Sequence, residues 1–404
     1  MAHEVRGNDA PTRARQIVRS GDVLYSTVRV YLKNLARVQV ELDGALASTG
    51  FCVLRPNDLV DSNFLFYWVQ TAAFTATAAA MQRGISYPAV NESELLNMAM
   101  PVPPVDEQRS IVTGIEEQLS RLDAGSANLT NVSRKLANYR RSLLHAASRG
   151  RLLSSDSDDQ STEALLKGAG VRLLDATGLP NGWCLARLGD LAAVGSGATP
   201  LRSRHDYYAG GTIPWVTSAQ LNEEYVRTPS ELITEAALKD CSVKLWPVGT
   251  LLVAMYGEGR TRGKCSELAI PACTNQACAA IAFRDELVVL RPFVKLFLTA
   301  SYQANRRLAS GGVQPNLSLG LIKGLQVPLP PLAEQDRIVS EVHRRLSIAA
   351  ALEASIESGL HKCASLRRRI LAAAFTGKLV KASVPAQTSA VLETGMPAAA
   401  PSAP

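Results

Sequence analysis

The sequence contains no CxxC pair, and none of its seven cysteines (Cys52, Cys184, Cys241, Cys265, Cys273, Cys278, Cys363) has a histidine at zinc-ligand spacing. Reduced, partly buried thiols are therefore expected. The five histidines (His3, His145, His205, His343, His361) are scattered, so no metal constellation is read. No apolar run approaches the ~20 residues needed to cross a bilayer. The start, MAHEVRGNDAPTRAR, has no apolar core of the kind a signal peptide carries, which points to a cytoplasmic protein without membrane contact. No glycine-rich cofactor loop follows a strand, and no adenine-methylating NPPY-like string occurs, which argues against an enzyme with fused recognition modules. The stretch GEGRTRGKC (257–265) imitates a phosphate-binding loop, but Glu258 stands where its first glycine should be, and Cys265 replaces the Ser or Thr. No cofactor is expected.

What is present is an ordinary soluble composition, 47% hydrophobic and 20% charged, over 404 residues, enough for two or three domains. The net charge of +7 is compatible with nucleic acid but weak evidence alone. The dominant feature is a repeat. PPVDEQRSIVTGIEEQLSRLDA begins at Pro103 and returns as PPLAEQDRIVSEVHRRLSIAAA at Pro330, an offset of 227 residues. The offset holds for Gly84 and Gly311, and for Arg140, Ala146 and Gly150 against Arg367, Ala373 and Gly377.

Each repeated stretch reads as a long helix. Proline precedes each start. Asp106 is a candidate cap, and the Glu-Gln pairs put acid in the first turn. Ile115, Leu122, Leu129, Leu136 and Leu143 recur every seven residues, and Val342, Ala349, Ile356, Cys363 and Ile370 occupy the same places in the second copy. Such a row is a coiled-coil seam. The other reading is a pair of core helices in one globular domain. A helix of ~40 residues is roughly 60 Å long, and Gly125 and Gly359 are candidate bends.

Outside the long helices the chain reads as short strands and turns, with one helix over FLFYWVQTAAFTATAAAMQ (64–82). The expected divisions are a strand-rich module at 1–104, a spacer helix at 105–150 and a polar linker at 151–178. A second module at 179–330, a second helix at 331–380 and a disordered tail at 381–404 complete them. In this reading the first module is truncated. Gly21 matches Gly249, yet about 50 residues that precede Gly249 in its own module have no counterpart.

The ordered strings LPNGWCLARLGDL (179–191), SGATP (196–200), GTIPWVTSAQL (211–221), GTLLVAM (249–255), CTNQACAAI (273–281) and PLPPLAEQDRIV (328–339) resemble the DNA-specificity subunits of type I restriction-modification enzymes. The first half carries GDVLYSTVR, RGISYPAVN and PVPPVDEQRSIV. The resemblance covers nearly the whole chain. It implies an α+β fold in which two strand-rich target recognition domains are separated and joined by two long antiparallel helices in a pseudo-twofold arrangement. It further implies that each module reads half of a split site on double-stranded DNA. The helices would act as a ruler and dock two methyltransferase subunits, with restriction subunits joining them, and the chain itself would be non-catalytic. A ~60 Å spacer matches about 17 base pairs at ~3.4 Å each. A coiled-coil scaffold without DNA specificity is the competing reading.

Base readers and phosphate clamps need Arg, Lys, Asn, Gln and aromatic groups on loops. In the second module these are Arg202, Arg204, Tyr207 and Tyr208 on one loop, then Tyr256, Arg260, Arg262 and Lys264 on another, then Gln314 and Asn316. In the first module they are Arg29, Lys33, Arg83 and Tyr87. Trp215 and Trp246, in apolar strand contexts, are expected in the core.

Overall fold

The computed structural model describes residue 9 and residues 11–154, 159, 161–256, 261–302, 317–379 and 389–390. It is a mixed helix-and-sheet structure that forms two compact units, Met1–Val132 with Ala354–Pro404, and Ser133–Glu353.

The first unit is built on an antiparallel sheet. Its strands are β2 (Val23–Ser26), flanked by β3 (Leu35–Arg37) and β5 (Phe51–Leu54). Strand β1 (Ala14–Ile17) pairs with β4 (Leu46–Ser48) alongside. The aromatic stretch after this sheet, FLFYWVQTAAFTATAAAMQ, forms two helices, Ser62–Trp68 and Ala72–Ala80, rather than one. The break is local chemistry. The Thr71 hydroxyl accepts from the Phe74 N–H at 3.2 Å and starts a new helix.

In the second unit the same order recurs. Strand β13 (Leu251–Ala254) lies between β14 (Cys265–Leu268) and β16 (Cys278–Phe283). Two edge strands extend it to five, β9 (Ala192–Ser196) and β11 (Tyr225–Val226). Consequently β13 is buried on both faces, whereas β2 alternates between buried and half-buried residues. Further sheets join β10 (Ile213–Val216) to β12 (Glu231–Ile233) and β15 (Cys273–Thr274), and β8 (Cys184–Arg187) to β7 (Leu173–Leu174) and β17 (Gln326–Leu329).

The long helices span Val105–Ala147 and Leu332–Phe375, each slightly shorter than the sequence suggests. Asp106 lies inside the first turn with its carboxylate in solvent and does not cap. Every seam residue is buried or half-buried. In the first unit Arg367 pairs with Asp123 at 3.1 Å and Leu129 sits on Gly359, so the helices run in opposite directions. In the second unit Arg140 pairs with Glu353, while Leu143 and Val342 share one core. The helix ends enter the strand-rich cores. Ile111, Ile115 and Leu371 pack with Val23, Phe64 and Leu95 in the first unit. Leu143, Ile338 and Val342 pack with Trp183, Phe293 and Val327 in the second.

The repeated Glu-Gln pair has a role beyond the helix dipole. Gln108 is fully buried. Its Oε1 accepts from the Asp61 N–H at 2.8 Å, and its Nε2 donates to the carbonyls of Leu59 and Pro103. One side chain thus ties helix to head. In the second unit Gln335 donates to the Pro330 carbonyl, and Glu334 accepts from Trp183 Nε1 at 3.2 Å.

Two stretches depart from the sequence reading. The supposed linker contains a helix, Glu163–Gly168, and β7, with Leu166 and Val171 buried in the main core. Its apolar EALLKGAGVRLL half competes successfully with its acidic half, of which Asp159 ion-pairs with Arg337. Of the tail read as disordered, Ser389–Ala390 (β18) pairs with β6 (Met100–Pro101); the remainder lies outside the described residues.

The helix glycines divide by environment. A Cβ at Gly125 meets nothing within 4 Å, whereas one at Gly359 falls 2.9 Å from Leu129 Cδ1. Gly359 is thus a seat for Leu129 rather than a bend. We expect Gly125→Ala to stabilise by about 0.5–1 kcal/mol. Gly359→Val should destabilise by about 1–3 kcal/mol through overpacking. Urea unfolding of both variants checks the contrast.

Candidate nucleic-acid interface

The motifs of the second unit hold its loops in place. Gly197 passes so close to β15 that a Cβ there would fall 1.6 Å from the Thr274 carbonyl oxygen. Trp215 is buried and donates from Nε1 to the Ala198 carbonyl at 3.2 Å. Thr199 donates to Gln276 Oε1 at 2.6 Å. SGATP, IPWV and CTNQA therefore form one clamp at the root of the 199–208 loop. Trp246 is buried as well.

Within that loop the candidate readers have different environments. Arg202 donates to Glu231 Oε2 at 2.6 Å and lies over the rings of Tyr208 and Trp215. Arg204 forms a two-pronged pair with Asp206 at 2.8 and 2.6 Å. The paired carboxylates hold both guanidiniums above their ordinary pKa. Both side chains remain about half exposed but have acidic partners. Tyr207 is a correction to the sequence reading. It is buried with Ile213, Trp215 and Ile233, and its hydroxyl donates to Asp240 at 3.2 Å. Tyr207 is core because the 3-10 turn His205–Tyr207 points it inward.

The second loop joins β13 to β14. Tyr256 is exposed, Gly263 has a left-handed φ of 85°, and its N–H donates to the Ala254 carbonyl at 2.8 Å. Lys264 Nζ donates to Asn222 Oδ1 at 2.8 Å. Arg262 is half-buried, and Arg260 lies outside the described residues. Lys264 lines a cleft of about 640 Å³ with Arg140, Arg141, His343, Lys295 and Glu224. Gln314 and Asn316 also lie outside the described residues.

In the first unit the structure brings Arg29 and Tyr87 together, while the Lys33 and Arg83 side chains have other partners. Arg29 stacks 5.1 Å from the Tyr87 ring centroid and donates from Nη2 to the Ser86 carbonyl at 3.3 Å. Lys33 Nζ donates to the Gln70 carbonyl at 2.9 Å. Arg83 pairs with Glu94 at 2.8 Å.

Among the described residues no group of three or more metal-type ligands converges. Desolvation pushes the thiols of Cys52, Cys265 and Cys278 up to about 12, which favours the neutral thiol over the thiolate.

Comparison with known proteins follows the repeat. A family model described as the type I restriction modification DNA specificity domain matches residues 17–133 and 180–360. A chain in a solved structure concerned with assembly of the type I R-M system is 28% identical, with a TM-score of 0.73 over 93% of this chain and 87% of that one. The HsdS subunit from Thermoanaerobacter tengcongensis is 27% identical, with a TM-score of 0.54 over 93% and 86%. The EcoDI specificity subunit of Escherichia coli is 28% identical over 36% of this chain, a match that spans 31% of that protein.

Core and surface members of the first loop should separate in stability. Tyr207→Ala is expected to cost about 3–5 kcal/mol. Arg204→Ala should stay within about 0.5 kcal/mol, because its ion pair is exposed. Chemical unfolding followed by tryptophan fluorescence reads both.

Proposed function

The chain belongs to the type I restriction modification DNA specificity family, and we propose on that premise that it is the sequence-reading subunit of a type I restriction-modification complex. The observation that carries this reading is the placement of the family match, one segment in each repeat, each covering strand-rich structure and part of a long helix. The subunit itself is non-catalytic. Adenine methylation and ATP-dependent cleavage belong to companion subunits, two methyltransferases and the restriction subunits. The substrate is double-stranded DNA with a bipartite site, and the location is the cytoplasm.

The pseudo-twofold arrangement, with two reading modules separated by paired helices, is part of the same proposal. Uninterrupted helices of 43 and 44 residues support it. At ~1.5 Å per residue each is roughly 65 Å long. For docking, the second unit offers a hollow of about 330 Å³ on the helix pair. Tyr139, Ile348 and Leu352 line it and are exposed, with Arg344 and Arg345 beside them. An apolar patch rimmed by cations suits a protein partner.

Two experiments test the reading. Replacing Arg260, Arg262 and Lys264 with Ala should weaken binding to duplex DNA and reduce the salt slope by about 1 for each phosphate no longer neutralised. An unchanged slope, measured by fluorescence anisotropy across a salt series, would remove that loop from the interface. Separately, Leu122→Asp with Ile356→Asp places charge in the seam at a cost of about 3–5 kcal/mol each. Co-elution with methyltransferase subunits on a sizing column should be lost. Normal assembly by this double variant would rule out docking on an intact seam.

A further inference from the structure

Two cations of the first unit hold a backbone conformation that side chains rarely adopt. Arg29 (φ 50°, ψ 55°) and Lys33 (φ 51°, ψ 42°) are, among the described residues, the non-glycine positions with positive φ. They bracket one 3-10 turn, Val30–Leu32. Glycine would fit both places without strain. Such strain persists only where the surroundings enforce it, and it concentrates at functional sites.

Here the surroundings do enforce it. The Arg29 N–H donates to the Pro88 carbonyl at 2.8 Å, and the Lys33 N–H to the Val30 carbonyl at 3.0 Å. Bridges from Val28 and Arg83 to Ala89 fasten the neighbouring turn, 83–87, beside them. That turn reverses at Gly84, with φ 96°. It leaves Ile85 wholly in solvent and Tyr87 largely so, while Tyr31 and Leu32 are exposed on the first turn.

Four exposed apolar side chains on two linked turns are unusual for a soluble surface. Arg29 and Lys33 flank them with cations that have no carboxylate partner in the hydrogen bonds they make, whereas Arg83 beside them is paired with Glu94 at 2.8 Å. After burial, the charge of Arg368 is the second influence that lowers the pKa of Lys33. Like charges assembled in one place suit a polyanion. An apolar tip between cations is also how proteins open a base step from a groove.

We propose that the turns 29–33 and 83–87 form the DNA-reading face of the first unit, with Arg29 and Lys33 positioned against phosphates and Ile85 entering the groove as an apolar wedge. This inference rests on the specificity-subunit reading and adds how the first unit engages the duplex. The aromatic face of Tyr87, backed by the Arg29 guanidinium, is available to stack on the base that the wedge exposes.

The test uses the full chain and a pool of short, fluorescently labelled duplexes of random sequence. Arg29→Gly and Lys33→Gly relieve strain, so the melting temperature should hold or rise. Each should nevertheless lower the salt slope by about 1. Ile85→Ser should weaken affinity roughly tenfold with slope and melting temperature unchanged. A fall in melting temperature with no change in slope for the glycine variants would make the two cations structural and overturn the proposal. So would an Ile85→Ser variant with full DNA affinity that no longer co-purifies with methyltransferase subunits, since the patch would then bind protein instead. Lys264→Ala in the second unit separates the two readings. If it weakens binding while the first-unit variants do not, this inference alone falls. If variants in neither unit affect binding, the specificity reading falls with it.

Discussion

Two helices of 43 and 44 residues must keep one apolar seam covered along their length, and the rest of the structure depends on it. Helices this long gain little from propensity alone; their stability comes from the face they bury. Here that face is closed by antiparallel pairing and by the strand-rich cores that the helix ends enter. Gly359 lets Leu129 come close where two side chains would collide. At the helix starts, Gln108 satisfies the Asp61 N–H and the carbonyls of Leu59 and Pro103, while Gln335 shares the Pro330 carbonyl with the Thr162 hydroxyl. The repeated PPxxEQ string is therefore a joint between rod and head, and its spacing from the seam fixes which helical face meets the core.

The heads divide their residues between holding and reaching. Most of the sequence motifs hold. Gly197, Trp215 and Thr199 make the loop root rigid, and Lys295 spans Glu224 and Glu267 to bind β11, β14 and the helix Arg291–Ala300 into one block. The cations on the loops reach, but under different restraint. Arg202 and Arg204 are balanced by carboxylates, which lowers their value as phosphate clamps and fixes their direction. Arg29 and Lys33 are instead held by backbone carbonyls in a strained turn. A neutral acceptor orients a cation without cancelling its charge, so Arg29 and Lys33, like Lys264 on Asn222, keep theirs.

Burial and pairing are cooperative properties, and this limits what single residues disclose. The helix in residues 163–168 is hidden by an acidic neighbourhood, because polarity averaged over the segment masks Leu166 and Val171. The aromatic stretch 64–82 reads as one helix, since Thr71 is as compatible with a helix interior as with a cap. Tyr207 reads as a DNA contact because its neighbours are Arg204 and Tyr208; only the turn that carries it decides which way it points.

The sequence by itself determined the duplication, the seven-residue seam of the long helices, and the family, because periodicity and repeated strings survive in one dimension. Only the tertiary structure decided which loop residues are exposed, which cations already have acidic partners, and which backbones are strained. Those properties depend on atoms brought together from distant parts of the chain, such as Asp61 on Gln108 or Thr274 on Gly197. No local pattern encodes such meetings, whereas a seven-residue spacing encodes its own helical face directly.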